Sequence, residues 1–471
     1  MRLVLWTMVF VGRSLVGLLA ISGLAACASE SRDSDDGPTQ LTTLLDSAGT
    51  DGSASAGDTT GYLDVGNGSG GVSGAGDEGG GCEAEDIVDP NATLEGTVFA
   101  PNLEIPISGA VVYITDRPVP DIPDESYCAE CVELECDVNF VFTEADGTFS
   151  LPAVAAPGQQ LVVQKGEFRH VVDFDVVEGT NTVAPMDSAL PGRWDPANGM
   201  WIPRIAVYEA DPDRVYNVLA KFGLGAVSAT GDLIPGTEQF DLISSANGSW
   251  MDDLNNLRPY HIVFVPCATT SAWIEAPTVP GLRAQNIRDY VAGGGKWYAT
   301  DHANEYISVP FDPYVDFHNE AMPDLQPAYD VVGQVLDADM LAWLQALPAA
   351  LKDIGGGYPT LNQLPNVELE LNYSGIDAVH EVMVENDEGE QVNVGPYTYV
   401  DGPCTSCSDA GSSRPMAFVG QFGCGRMMYS TFETSSVAHA GLSPQELALL
   451  YMILEIGVCH DTPPPQPPPV G

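Results

Sequence analysis

The chain has 471 residues, 17 of them basic and 66 acidic, for a formal charge of −49. That balance excludes nucleic acid and an anionic membrane surface as partners, because both repel so acidic a protein. The length allows two or three domains, and a hydrophobic content of 44 % supports buried cores. The acids are scattered rather than set in an Asp/Gly ligand loop, so the charge is read as a solvated surface and not as calcium sites.

Residues 1–27 read as an export signal. Arg2 and Arg13 precede the apolar run Leu15 to Ala26, which is too short for a stable span. The run ends Leu24-Ala25-Ala26-Cys27, which resembles the bacterial lipobox. The resemblance implies that Cys27 is lipidated and becomes the mature N-terminus. The expected partner is therefore a membrane, held through the lipid on Cys27. Ala28 at the next position implies the outer membrane, with the protein periplasmic or surface-exposed. Residues 28–85 are rich in Ser, Gly and Asp and bury too little apolar surface to fold, so they are expected to be a disordered tether.

Residues 86–190 contain short alternating runs broken by Gly, Pro or Asp: ATLEGTVFA, GAVVYITD, NFVFTE, GTFSLPAV, QQLVVQKG and FRHVVDFDV. This pattern predicts a small antiparallel β-sandwich. LEGTVFAPN, PISGAVVYITD and TEADGTFSLP, with the Asp146-Gly147 turn before Phe149, resemble the carboxypeptidase regulatory-like family. The resemblance implies a transthyretin-like sandwich with a structural or adhesive role. The insertion VPDIPDESYCAECVELECD interrupts it and brings Cys128, Cys131 and Cys136.

Residues 191–460 read as an α/β domain. IAVYE, ending at Glu209, is its first strand. Asp211 is expected to cap a helix with Pro212 at the first helical position, Val215, Val218, Leu219 and Phe222 buried, and Gly223 as the stop. His261 to Pro266 is a buried strand. Leu282, Ile287, Tyr290 and Val291 form the apolar face of a helix, with Arg283, Arg288 and Asp289 opposite. Gly293-Gly294-Gly295 ends that helix, and Lys296 to Thr300 is the next strand. The glycines follow a helix and precede a strand, the reverse of a phosphate loop. Strand, helix and strand with a short return imply a parallel sheet. Further strands are expected at Val367–Tyr373, Val392–Val400, Ala417–Phe422 and Arg426–Thr431, with a helix near Asp339 to Leu347. Ser443, Pro444 and Glu446 form a capping box for a last helix. Residues 461–471 are a Pro-rich tail.

The order IAVYE-helix, YHIVFVPC, helix-GGGKWYATDH and late CGRMMYSTFE looks like the class I glutamine amidotransferase-like superfamily. It is closest to trehalose-utilisation-type members, with Gly425-Arg426 before the late strand. The resemblance implies a flavodoxin-like α/β fold and a nucleophilic cysteine on a Gly-x-Cys-x-Gly elbow after KWYAT. This chain has Asp301-His302 there instead. With the sandwich and the lipobox, the chain resembles secreted bacterial lipoproteins of the same two-domain order, with no assigned reaction.

In parallel sheets, ligands sit beyond the carboxyl ends of the strands. Those ends carry Glu209, Cys267, Asp301, His302 and Glu305, with Glu433 and His439 after the late strand. These are the candidate ligand-binding and catalytic residues. The polar run around Asp301 matches no standard metal motif, so neither a metal nor another cofactor is expected. Two functions remain. One is a lipid-anchored structural or ligand-binding protein with a degenerate amidotransferase-like domain, which the residues favour. The other is a hydrolase using Cys267 or the Asp301/His302 loop. Export favours disulfides. They are expected to close within each domain, with Cys267 left as the free thiol. A zinc site in the Cys128 cluster is the alternative there.

Overall fold

The computed structural model describes residues 90–128, 131–134, 138–267, 274–276, 278–318, 329–385, 389, 391–405, 407, 411–434, 438–454 and 457–459. The segments expected to be an export signal, a tether and a Pro-rich tail, together with Cys27, Cys82 and Cys136, lie outside these residues.

The first half of the described chain forms two sheets. In one, Ala92–Thr97 lies between Thr148–Ala153 and Gly179–Thr182. The other has five strands in the order Phe140–Phe142, Val111–Thr115, Gln159–Lys165, Phe168–Phe174 and Met200–Trp201. Strand alternation places Leu94 and Leu151 of one sheet and Val112, Leu161 and Val163 of the other in one apolar cluster. One pairing departs from the expected antiparallel pattern: Gly179–Thr182 runs parallel to Ala92–Thr97. The Asp146-Gly147 turn forms as its sequence requires. Asp146 Oδ1 accepts from Thr148 N at 3.0 Å, and Gly147 takes a left-handed φ of 78°.

The second half is built on a nine-stranded sheet. Its strands are β1 (Ile205–Glu209), β2 (Asp241–Ser244), β3 (Ile262–Val265), β4 (Lys296–Thr300), β5 (Tyr329–Val335), β6 (Asn366–Asn372), β7 (Tyr397–Pro403), β8 (Ser413–Phe422) and β9 (Gly425–Ser430). They lie in the order β2-β1-β3-β4-β9-β8-β7-β5-β6. The first five are mutually parallel. Counted along the chain, they follow the second-first-third-fourth-last order of flavodoxin-like sheets, with the switch point between β1 and β3. The remaining four run antiparallel to their neighbours. The architecture is thus a doubly wound α/β sheet with a separate pair of β-sheets beside it.

Both faces of the parallel strands are covered, so these strands are apolar throughout rather than alternating. Val207, Phe264, Tyr298 and Met428 point to one face, and Tyr208, Val263, Trp297 and Tyr429 to the other. The helix α1 (Leu282–Ala292) covers the second face with Ala284, Ile287, Tyr290 and Val291. Arg283 does not face solvent as expected. It is 3 % exposed and paired with Asp252 at 2.5 Å. Gly293 caps this helix, and Gly294 has φ 104°. A side chain at Gly294 would meet the Tyr127 carbonyl at 1.9 Å, so both the turn and the docked chain require glycine there. On the first face lies α2 (Pro444–Ile453), whose Ser443/Glu446 capping box forms as expected. The helix expected after Asp211 begins later, at Val215, with Arg214 as its cap residue. Gly223, at φ 117°, lies in its last turn.

The two halves share one apolar core, which runs from Leu94 and Val112 through Phe168 and Phe222 to Val207 and Leu447. Phe168 and Phe222 meet edge-on at 5.6 Å. Trp343 Nε1 donates to Pro106 O at 2.8 Å, and Lys296 pairs with partly buried Glu167 at 2.9 Å. The insertion is the strap between them. Its strand Cys131–Glu133 pairs in parallel with Gly457–Cys459, and Cys128 is disulfide-bonded to Cys424. The expectation that disulfides close within each domain is therefore overturned.

Candidate functional site

The carboxyl edge of the parallel strands is where the chemistry collects. Past β1 the chain turns so that Asp213, not Glu209, faces inward. Asp213 is 0 % exposed, whereas Glu209 ends its strand in solvent, in register with Ser244. Asp213 Oδ2 accepts from the backbone N–H of Cys267 at 3.2 Å and from the Thr300 hydroxyl. Asp213 Oδ1 accepts from Thr434 N at 2.9 Å and from Thr434 Oγ1 at 2.7 Å. One carboxylate thus ties together the chain segments leaving β1, β3, β4 and β9. Burial pushes its pKa up, and these four donors pull the other way.

Directly after β4, Asp301 adopts a left-handed φ of 46°, uncommon for a residue with a Cβ. It opens a single 3₁₀ turn, Asp301–Ala303. Its carboxylate is fully buried and accepts from Tyr373 N, 3.1 Å from each oxygen. Its carbonyl accepts from the Tyr429 hydroxyl at 2.6 Å, and Ser374 Oγ bonds that same hydroxyl at 2.6 Å. Burial holds the Asp301 pKa well above the usual carboxylate range, against bonds from Ser374 and Tyr373.

Beyond β9, Glu433 is 0 % exposed, and neither of its side-chain oxygens has a hydrogen-bond partner. Burial raises its pKa well above normal, and the nearby Asp213 and Asp301 add to the shift. One oxygen of Glu433, one oxygen of Asp301 and Sγ of Cys267 lie within 4.8 Å of one another.

The structure thus brings Cys267, Asp301 and Glu433 together and leaves other expected residues apart. Cys267 is disulfide-bonded, so it is not the free thiol expected from the sequence. His302 follows Asp301, but its Nε2 has no partner, and its ring lies 5.2 Å from that of Tyr373. Burial lowers its pKa to about 4, so it is neutral at pH 7. Glu305 is half-buried at the start of a short helix, with its pKa raised by burial and then by Glu275. His439 belongs to a different buried group. Its Nε2 lies 3.1 Å from Glu446 Oε2 and 3.3 Å from Lys221 Nζ, and its ring stacks on Tyr358 at 4.6 Å. Gly425-Arg426 starts β9 at the opposite end of the sheet, where Arg426 N donates to Gly295 O at 3.3 Å. Cys404 and Cys407 are bonded to each other, and Cys128 is spent on Cys424 and provides no thiolate for zinc.

Asp213 was missed from the sequence because Asp211-Pro212 reads as a helix start. The available signal was an acid a few residues beyond the first strand, which is the edge that carries ligands in such sheets.

No family model and no curated protein matches the chain. Among solved structures, a putative ThuA-like protein from Bacteroides uniformis is 11 % identical, with a TM-score of 0.29 over 52 % of this chain and 88 % of its own. A cytoplasmic protein from Salmonella typhimurium is 9 % identical, with a TM-score of 0.28 over 54 % of this chain and 99 % of its own. A β-galactosidase from Bacillus circulans is 13 % identical, with a TM-score of 0.24 over 56 % of this chain but 32 % of its own. Likenesses this distant carry no argument. The flavodoxin-like strand order rests on the strand pairing itself.

Proposed function

We propose that the chain is a lipid-anchored cell-envelope protein whose α/β half is an amidotransferase-like fold kept for structure or ligand binding, without an acyl-transfer site. The observation that carries this reading is the state of the two positions where a nucleophile would stand. Cys267 is tied up in a disulfide, and the elbow after β4 holds Asp301 in place of cysteine. Acyl transfer from glutamine needs a thiolate with a base beside it. The neighbouring imidazole, His302, instead packs near Tyr373. Lipidation at Cys27 and a carboxypeptidase regulatory-like sandwich over residues 86–190 complete the reading and rest on the sequence motifs. Placement on the outer membrane follows from the same lipobox.

Two assays test it together. Cell fractionation should place the wild type with membranes and the Cys27→Ser variant in the soluble fraction. Purified protein should release no ammonia from glutamine. Glutamine turnover lost in Cys267→Ser would contradict the reading.

One observation favours a hydrolase instead: the left-handed turn at Asp301, since backbone strain gathers at functional sites. Against it, the Asp301 carboxylate is fully buried and turned toward Tyr373 N.

A further inference from the structure

We propose that Asp301 and Glu433 hold a divalent cation of the oxygen-preferring, Mg²⁺/Mn²⁺ type at the carboxyl edge of the parallel sheet. The proposal deepens the ligand-binding reading above and rests on it.

The first observation is convergence. Oxygens of Asp301 and Glu433, delivered from β4 and β9, lie within 4.8 Å of each other, both at 0 % exposure. Two ligand oxygens on one Mg²⁺-type ion, each about 2.0–2.1 Å from it, can be no more than about 4.2 Å apart, which the observed limit admits. The second observation is independent. Glu433 is fully buried, yet neither of its oxygens has a partner, although buried polar groups are almost always paired. No lysine or arginine pairs with Asp213, Asp301 or Glu433 among the described residues. Ionised carboxylates are acceptors only, so two of them held this close call for a cation or a shared proton, and the test below separates the two.

The donor set chooses the class of ion. The third atom of the cluster, Cys267 Sγ, is in a disulfide and is not a thiolate. His302 is not part of the cluster. Soft, zinc-type ligation is therefore absent, and carboxylate oxygen remains, which suits Mg²⁺ or Mn²⁺ completed by water. Asp213 supports the site from behind. Its own oxygens are occupied by Cys267 N, Thr300 and Thr434, so it holds the segments that carry the site without ligating the ion. The charge of −49 over the chain raises the local concentration of cations.

The test uses the full chain with Mn²⁺ as the probe. Sodium chloride near about 1 M shrinks the Debye length to roughly 3 Å, which suppresses loose surface binding. Equilibrium dialysis with metal analysis should find one Mn²⁺ per wild-type chain, and Mn²⁺ should raise the melting temperature relative to chelator. Glu433→Gln and Asp301→Asn should each weaken binding by about tenfold or more while melting cooperatively in chelator. Glu104→Gln, an exposed acid of the first half, should bind as wild type does. The proposal is overturned if wild type binds no Mn²⁺ under these conditions, or if Glu433→Gln binds with unchanged affinity. It is also overturned if Glu433→Gln raises the melting temperature in chelator while wild type ignores Mn²⁺, because the two acids then share protons. None of these results bears on glutamine turnover, so the binding-protein reading stands or falls separately.

Discussion

The backbone N–H of Cys267 donates to Oδ2 of Asp213 at 3.2 Å, joining the carboxyl ends of β1 and β3 where the strand order reverses. In most doubly wound sheets that crevice is left for a ligand. Here an aspartate fills it, and Thr300 and Thr434 complete a knot around one buried carboxylate. The consequence is a rigid edge in which Asp301 and Glu433 are held side by side.

Asp213→Ala should therefore be among the most damaging changes in the α/β half. It removes the acceptor for two buried backbone N–H groups and two hydroxyls. At roughly 1–3 kcal/mol for each orphaned amide, the loss should be at least about 2 kcal/mol. Denaturant unfolding measures this directly. A loss below about 1 kcal/mol would show that the knot is not structural.

Cys128→Ser should cost about 2–5 kcal/mol, the usual range for a native disulfide. It should also loosen the strap between the two halves. Limited proteolysis should then cut near Tyr127 in the variant and leave the oxidised wild type intact. Equal cleavage of both would mean that the Cys128–Cys424 bridge does not hold the insertion.

His261 anchors the same strap and should make it sensitive to acid. Its Nδ1 accepts from Arg204 N at 2.8 Å, so Nε2 carries the proton and donates to Pro123 O at 2.9 Å. The first bond needs the neutral ring, because a protonated Nδ1 cannot accept, whereas Nε2 donates to Pro123 O in either state. Burial lowers its pKa below the ordinary 6.5, against the pull of Glu167. The unfolded chain thus binds this proton first as pH falls, and stability drops between pH 6.5 and the lower folded value. Melting curves across that window should show a shallower slope in His261→Gln. An unchanged slope would contradict this.

The melting temperature of the wild type should rise with sodium chloride. A charge of −49 repels itself across the surface, and salt screens that repulsion within about 10 Å at 0.1 M. A flat or falling trend would mean that the acids are already neutralised.

Much of this fold could be read in advance. The run from His261 to Thr300 gave β3, α1 and β4 because a continuous apolar strand, a helical apolar stripe and three glycines leave few alternatives. Gly179–Thr182 gave no such signal, since a strand reading GTNT has no apolar alternation, and its buried residue is Asn181. The strand expected over Val392–Val400 is split, because Gly395 and Pro396 stand between Gln391–Asn393 and β7. At the site, Cys267, Asp301 and Glu433 were legible from topology, as each follows a parallel strand. Asp213 was hidden behind a false helix cap. The Cys128–Cys424 pairing was hidden because spacing does not fix connectivity across 296 residues.

The central claim is that no thiol nucleophile operates at the sheet edge, and it is tested most directly by thiol mapping. The native, unreduced protein is treated with iodoacetamide, and the modified peptides are identified by mass spectrometry. The account predicts no label on Cys267 until the protein is denatured and reduced. Stoichiometric labelling of native Cys267 that disappears in Cys267→Ser would contradict it, and would restore the hydrolase reading.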